Sequence, residues 1–227
     1  MQTIHQISTW FSLALVLVGP AKSQPEPLPP PPLQISGVQV TPLNQLQIPD
    51  NAKLEIGSKI AKQSGKKVVE VAPSEIPDID ETVGKHIGQL EQVSKIAQER
   101  GLHLRPANID RSPLKDHSFK GAQSAGAKIS TGWTGLLRLF KSPKMGHIVL
   151  EELDFSASGG GVMLIAELVN ENVNGFPAIL LSQQAGKSKT LTTLTWASNT
   201  KRYRLRAKGV DDETREALLN IARTLVD

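Results

Sequence analysis

Short apolar stretches separated by turn residues fill the chain after residue 147. They cover residues 148–155, 162–169, 178–183, 189–196 and 202–208. The breaks between them contain residue types that reach positive φ at low energetic cost: Gly159-Gly160-Gly161, Asn174-Gly175, Gly186 and Asn199. Because connections this short join strands that run in opposite directions, the pattern predicts an antiparallel meander.

The last part of the chain has the pattern of an amphipathic helix. Asp211, Asp212 and Glu213 place hydrogen-bond acceptors and negative charge where a helix begins. Apolar residues at helical spacing then follow: Ala217, Leu218, Ile221, Ala222 and Leu225. We expect this helix to pack on the sheet, so residues 133–227 are predicted as an α+β domain, an antiparallel β-sheet meander packed by a C-terminal helix.

A small mixed α/β unit is predicted before the sheet, over residues 35–104. Its elements are an extended piece around Val38 and Val40, helices over 51–64 and 80–100, and a strand over 67–71. Gly101 stands where a left-handed residue would end the second helix. Residues 105–132 are rich in Pro, Gly, Ser, Lys and Asp and have no sustained period, which predicts a linker between the two units.

The N-terminus has the pattern of a secretory signal. Residues 9–18 form an apolar run of about the length of a signal h-region, too short to span a bilayer comfortably. Ala21-Lys22-Ser23 offers the small residues that signal peptidase accepts, so cleavage is expected before Gln24. An uncleaved membrane anchor and a buried helix are the alternatives. The sequence thus predicts a signal peptide at 1–23, a proline-rich tether at 24–34, and an extracytoplasmic protein, periplasmic or secreted.

Composition excludes several classes of function. The chain has no cysteine, so it has no disulfide, no thiolate nucleophile and no thiol-ligated zinc. Its net charge of +4 is too small to indicate nucleic-acid binding by itself. Aromatic residues, at 4%, are too few for a platform that stacks single-stranded bases. Composition thus argues against nucleic acid and leaves the partner open. The predicted export, together with the basic strand at 202–208, makes an anionic lipid, an envelope polymer or an envelope protein the expected partner.

One predicted strand carries a row of cations. Because side chains alternate along a strand, Arg202, Arg204, Arg206 and Lys208 share one face, and Tyr203, Leu205 and Ala207 share the other. Guanidinium groups in a row can bind phosphates through paired hydrogen bonds, which makes this face the candidate anion-binding site. A solvated outer face, whose long side chains discourage sheet aggregation, is the commoner arrangement for such a row and is the preferred interpretation of it.

No catalytic, metal or cofactor site is predicted, and an enzyme is not expected. The histidines after the signal lack the spacing of ligands on one helix turn: His86, His103, His117 and His147. Glu152 and Asp154 share a strand face and could form a general acid/base pair, but a hydrated face is the preferred interpretation. The chain has no nucleophile elbow, phosphate loop or zinc-protease motif, and the glycines 159–161 are interpreted as a flexible hairpin.

The C-terminal third resembles a known type of domain. The resemblance rests on Val173-Asn174-Gly175 before a strand, Trp196 at the end of a strand, Tyr203 and Leu205 within a strand, Gly209, and the helix 218–225. This order is similar to extracytoplasmic sheet-plus-helix domains of bacterial anti-sigma-factor-associated and sporulation-associated proteins of unknown function, related in style to lipoprotein-carrier folds. The resemblance implies a periplasmic or surface domain that binds or senses something and catalyses nothing.

Residues 54–104 resemble a second type of module. The run 60–69, Leu90-Glu91-Gln92-Val93 and Arg100-Gly101-Leu102 are similar to the small N-terminal modules of secretins and TonB-linked receptors.

These observations lead to two hypotheses about function. The first is a non-catalytic extracytoplasmic binding or sensor module that contacts a lipid, an envelope polymer or a partner protein. The alternative is a structural or assembly component of an envelope secretion or transport machine.

Overall fold

The computed structural model describes residues 14–15 and 37–225, and most of its strands belong to one eight-stranded sheet. The strands are β1 (Ala14–Leu15), β2 (Gly37–Thr41), β3 (Val69–Glu70), β4 (Ser118–Ile129), β5 (Gly132–Ser142), β6 (Gly146–Asp154), β7 (Gly161–Ile165), β8 (Glu171–Val173), β9 (Phe176–Ala185), β10 (Lys189–Ala197) and β11 (Lys201–Ala207). The helices are α1 (Asp50–Gln63), α2 (Ile79–His86), α3 (Val93–Arg100) and α4 (Asp212–Thr224). The predicted signal and tether lie outside the described residues, apart from β1.

The large sheet consists of two three-stranded antiparallel meanders, β4-β5-β6 and β9-β10-β11. They join where β11 pairs antiparallel with β6, which places Arg204 directly opposite Glu151. The edge beyond β9 is completed by β3, which pairs with it in parallel, and by β8. The predicted α+β class, an antiparallel sheet with a C-terminal helix packed on it, is confirmed.

The stretch expected as a meander strand at 162–169 takes a different place. Its strand β7 lies between β1 and β2 in a separate three-stranded sheet. A 3-10 turn at Ser156–Ser158, followed by Gly159 at φ 69°, leads the chain away from β6. The amide of Phe155, just after β6, donates a hydrogen bond to the carbonyl of Thr200 in the turn between β10 and β11. The interpretation of glycines 159–161 as a hairpin between paired strands is therefore wrong.

Helix α4 covers one face of the sheet, here named the helix face. Asp211 precedes the helix and its carboxylate accepts a hydrogen bond of 2.7 Å from the Thr214 amide, so the predicted helix start is confirmed. The buried side chains Leu218 and Ile221 pack in one core with residues of the sheet. That core includes Phe140, Leu150, Trp196, Tyr203 and Leu205. The apolar alternation of β11 therefore points inward towards α4.

The opposite face, here named the arginine face, is partly covered by the N-terminal segment. Leu139, Val149 and Arg206 are direct cross-strand partners on β5, β6 and β11, so their side chains share this face. Ile76, Ile79 and Val83 bury the apolar part of it. Near one end of β9, Ile56 and Ile60 of α1 pack with Leu168 and Ile179. Residues from this segment, within 37–104, thus pack against the sheet.

The region expected as a linker contains a long strand. β4 occupies Ser118–Ile129 within 105–132 and forms the edge of the large sheet. Its small residues allow close packing: a Cβ added at Gly126 would lie 2.7 Å from both Leu153 and Thr134. The prediction of a linker at 105–132 is therefore wrong, because small residues serve close packing in a strand here.

The helix expected over 80–100 is interrupted. α2 and α3 are separated by a short 3-10 turn and by Glu91, whose amide donates to the carbonyl of Ala122 while its carbonyl accepts from the same residue. A Cβ on Gly121 would lie 2.5 Å from that of Leu90, so the chain approaches β4 too closely for a continuous helix. Gly101, at φ 70°, ends α3 as predicted.

Candidate anion-binding site

The strand β11 holds the predicted basic residues at the centre of the sheet. β11 lies between β6 and β10, so it is not an edge strand. Tyr203 and Leu205 point into the core, whereas Arg202, Arg204 and Arg206 lie on the arginine face. Their side chains are 9%, 14% and 20% exposed, respectively. The interpretation of this row as a solvated outer face is therefore wrong.

The three arginines converge on one carboxylate. Arg204 is the direct cross-strand partner of Glu151, and Arg202 and Arg206 are its diagonal neighbours, within reach of long side chains. Glu151 Oε1 lies 2.9 Å from a terminal nitrogen of Arg202. Its Oε2 lies 3.2 Å from Arg204 and 3.7 Å from Arg206. These four residues are here named the arginine cluster.

The arginine cluster carries more positive than negative charge. Burial alone would raise the pKa of Glu151, but Arg204, Arg202 and Arg206 together hold it below its ordinary value. Burial lowers the pKa of Arg202 and Arg206, and the charge of Arg204 adds to that lowering. Among the described residues, three guanidinium groups thus share one carboxylate in a site largely shielded from water.

Two nitrogens of the arginine cluster are buried without a hydrogen-bond partner among the described residues. They are the Nε atoms of Arg204 and Arg206. Buried polar atoms are nearly always hydrogen-bonded, and an unpaired donor costs about 1–3 kcal/mol. An acceptor from outside the chain would satisfy these donors.

Lys208, the fourth predicted member of the row, belongs to a separate group. It lies one residue beyond the end of β11, and its side chain is 44% exposed. Its ammonium donates to Asp80, which also lies 2.7 Å from Nδ1 of His147. The hydrogen bonds from Lys208 and His147 lower the pKa of Asp80. This contact ties α2 to the sheet and does not take part in the arginine cluster.

A cavity of about 440 Å³ opens on the arginine face, one strand away from β11. Its wall includes no member of the arginine cluster; Arg206 lines a smaller cavity of about 80 Å³, together with Leu139 and Val149. The larger cavity lies between α1, β3 and the strands β9 and β10, and its wall is mostly apolar. Thr193 and Thr195 line it, and these residues are the direct cross-strand partners of Arg206 and Arg204. The larger cavity and the cluster are therefore neighbours on the arginine face.

The pair considered for acid/base chemistry is divided between two environments. Glu152 is fully buried and not on a hydrated face, so that interpretation is wrong. Its Oε2 lies 2.6 Å from a terminal nitrogen of Arg138, and its Oε1 accepts a hydrogen bond of 2.7 Å from the Ala107 amide. Burial raises the pKa of Glu152, against the opposing effect of Arg138. Asp154 accepts hydrogen bonds from the Ser156 hydroxyl and the Ala157 amide instead, so the described contacts of the two carboxylates are separate.

The described histidines do not form a metal site. His103 lies 2.7 Å from the Thr131 hydroxyl, and His147 contacts Asp80. His117 has a buried Nδ1 without a described partner, and the side chain of His86 lies outside the described residues. No group of three or more potential ligands occurs in the described part of the chain.

The chain matches no family model, no curated protein and no solved structure. Within residues 37–225, no helix has the length and apolarity needed to cross a membrane. The site is therefore argued from its own geometry.

Proposed function

We propose that the protein is a non-catalytic binding or sensor module that takes an anionic ligand on the arginine face. The observation that carries this proposal is the arrangement of Arg202, Arg204 and Arg206 around the single carboxylate of Glu151, next to a cavity. A charge-assisted hydrogen bond from a guanidinium is about twice as strong as a neutral one. An anion bound here gains such bonds and offsets the excess positive charge.

The burial of the arginines limits the form of the ligand. Side chains that are only 9–20% exposed cannot lie flat on a membrane or a polymer surface. The ligand must instead insert its anionic group far enough to reach the guanidinium groups of the arginine cluster. This favours a single small molecule, or one projecting group of a larger partner, over broad contact with a charged surface.

The packing of the N-terminal segment favours a binding module over an assembly component. An assembly role would require an extended apolar surface on residues 37–104, where Val40 and Leu54 are the exposed large hydrophobic side chains among the described residues. In the structure, Ile76, Ile79 and Val83 are buried against the sheet, and Ile60 of α1 packs beside Ile179. These side chains are therefore buried within the same molecule.

The proposed location is outside the cytoplasm, as the apolar run 9–18 and the sequence Ala21-Lys22-Ser23 indicate. Mass spectrometry of the protein from fractionated cells tests this directly. The expected mature N-terminus is Gln24 in a periplasmic or secreted fraction. Full-length protein with Met1 in the cytosol would contradict the location.

Calorimetric titration of the whole chain with inorganic phosphate at low ionic strength tests the binding site. The double variant Arg204→Gln, Arg206→Gln should weaken the affinity by about a hundredfold or more, because it loses two charge-assisted bonds that contribute about 1.5–3 kcal/mol each. Lys144→Gln is the matched control: it removes a cation whose side chain is 80% exposed and pairs with Glu213. Equal weakening by both variants would indicate general charge attraction. Absence of binding to the unaltered protein would refute the site.

A further inference from the structure

We infer that the ligand is an amphiphilic acid, with its anionic head at the arginine cluster and its apolar chain in the adjoining cavity. This rests on the proposed function and adds the chemical class of the ligand. Carboxylate and phosphate monoester heads both suit the guanidinium groups, since both accept paired hydrogen bonds.

The cavity wall supplies the apolar half of the site. Its aliphatic side chains come from β3 and the turn after it, the segment before β8, and β9: Val69, Val71, Ala72, Leu168, Ile179 and Leu181. Ile179 and Leu181 lie on the face of a central sheet and are still only half-buried. Elsewhere on this face, apolar side chains are covered by Ile76, Ile79 and Val83. An apolar chain in the cavity would bury the remaining surface, which is favourable by about 25 cal/mol per Å².

The register of β10 and β11 joins the two halves. Thr195 lies opposite Arg204, and Thr193 lies opposite Arg206. Directly opposed residues on one face have Cβ atoms about 4.5–5.5 Å apart. The backbones of Arg204 and Arg206 are thus one strand away from the cavity, and their guanidinium groups are turned towards Glu151 on β6. A ligand that joins the two halves passes the threonine side chains. A volume of about 440 Å³ falls within the usual range for small-molecule sites.

The polar residues at the cavity offer a competing place for the head. Lys62 and Glu70 line the cavity and are exposed, so they lie on its solvent side. Lys59 and Glu75 also line it, so cations and anions are equal in number, and Lys59 already pairs with Glu55. Water screens the exposed charges. The arginine cluster has excess positive charge and little water, so it is the stronger site for an acid head. Lys62→Gln tests this orientation.

The experiment titrates the whole chain with five probes: dodecanoate, dodecyl phosphate, 1-dodecanol, acetate and inorganic phosphate. Both long-chain acids should bind about tenfold or more tightly than either short anion or the alcohol, since only they occupy both halves. Arg204→Gln should weaken the long-chain acids and leave 1-dodecanol unchanged. Leu181→Asn should weaken all three long-chain probes, with thermal unfolding used to verify that each variant folds.

Four outcomes separate the two proposals. Binding of short and long-chain anions with equal affinity, lost in Arg204→Gln, would overturn the amphiphile and leave the anion site standing. Absence of binding by every anion would overturn both. Equal binding of dodecanoate and 1-dodecanol, unaffected by Arg204→Gln, would remove the arginines from the site. Loss of acid binding in Lys62→Gln, with Arg204→Gln unaffected, would place the head on the opposite side of the cavity and refute the inferred orientation.

Discussion

Replacing Glu151 with glutamine removes the carboxylate that Arg202, Arg204 and Arg206 share and keeps the size of the side chain. In the variant, three guanidinium groups face one another with no described counterion. We expect this substitution to destabilise the fold more than the loss of any one arginine. Arg204→Gln, by comparison, leaves Glu151 paired with Arg202 at 2.9 Å.

The magnitude follows from the burial of the arginine cluster. Removing one partner of a buried ion pair costs about 3–5 kcal/mol. The arginine side chains here keep 9–20% exposure, and partial hydration screens their repulsion. We therefore expect a loss near the lower end, about 3 kcal/mol for Glu151→Gln, against about 1 kcal/mol for Arg204→Gln. In a chain of this size, about 3 kcal/mol lowers Tm by roughly 6–12 °C.

Thermal unfolding with and without inorganic phosphate is the assay. Phosphate should raise the Tm of Glu151→Gln more than that of the unaltered protein, because a bound anion replaces the missing carboxylate. Combining Glu151→Gln with Arg204→Gln should cost less than the sum of the two single losses, since it also relieves repulsion. An equal cost for both single variants, together with equal stabilisation by phosphate, would refute the reasoning.

Three further predictions concern the fold and its pH dependence. Gly121 has φ 132°, and a Cβ added there would lie 2.5 Å from that of Leu90, so Gly121→Ala should lower the free energy of unfolding by about 3 kcal/mol, measured with denaturant. Gly175→Ala, whose added Cβ has nothing within 4 Å, should lower it by about 1 kcal/mol. Equal costs would contradict the close approach. Asp211→Ala removes the helix cap and should cost about 1 kcal/mol in the same measurement, with no loss counting against the cap. Because folding lowers the pKa of Glu151, the ionised side chain stabilises the fold above the ordinary glutamate pKa of about 4.3, and this stabilisation is lost as pH falls through the folded pKa. The difference in unfolding free energy between the unaltered protein and Glu151→Gln should therefore become smaller in acid. A difference that grows in acid would contradict this.

Features encoded in adjacent residues were predictable from the sequence. The alternation of Arg204, Leu205 and Arg206 assigns one face to cations and the other to the core, whatever the partner strands are. Asp211 and the apolar spacing after it define the start and the buried side of α4. These signals depend on local geometry alone.

Features that depend on distant pairing were not predictable. Glu151 meets Arg204 only because β11 joins β6, fifty-three residues apart in sequence, after β7 has left for another sheet. The acidic run 151–154 gave one usable signal: alternation places Glu151 and Glu152 on opposite faces, so one of them had to face the arginines if these strands paired. No local pattern predicted that pairing.

The cavity was missed for the same reason. Its wall combines α1, β3 and two central strands, which are far apart in the chain. The region 105–132 was misjudged because glycine is used there for close contact, as at Gly126 and Gly121, and composition alone does not distinguish contact from flexibility.

The arginine Nε–H signals in an NMR titration of the whole chain with dodecanoate test the anion site most directly. Arg138 provides an internal control, because its Nε is also buried without a described partner but lies on the helix face beside Glu152. The signals of Arg204 and Arg206 should shift and saturate together while that of Arg138 stays in place. Unchanged signals from Arg204 and Arg206, or an equal shift of all three, would contradict an anion site on the arginine face.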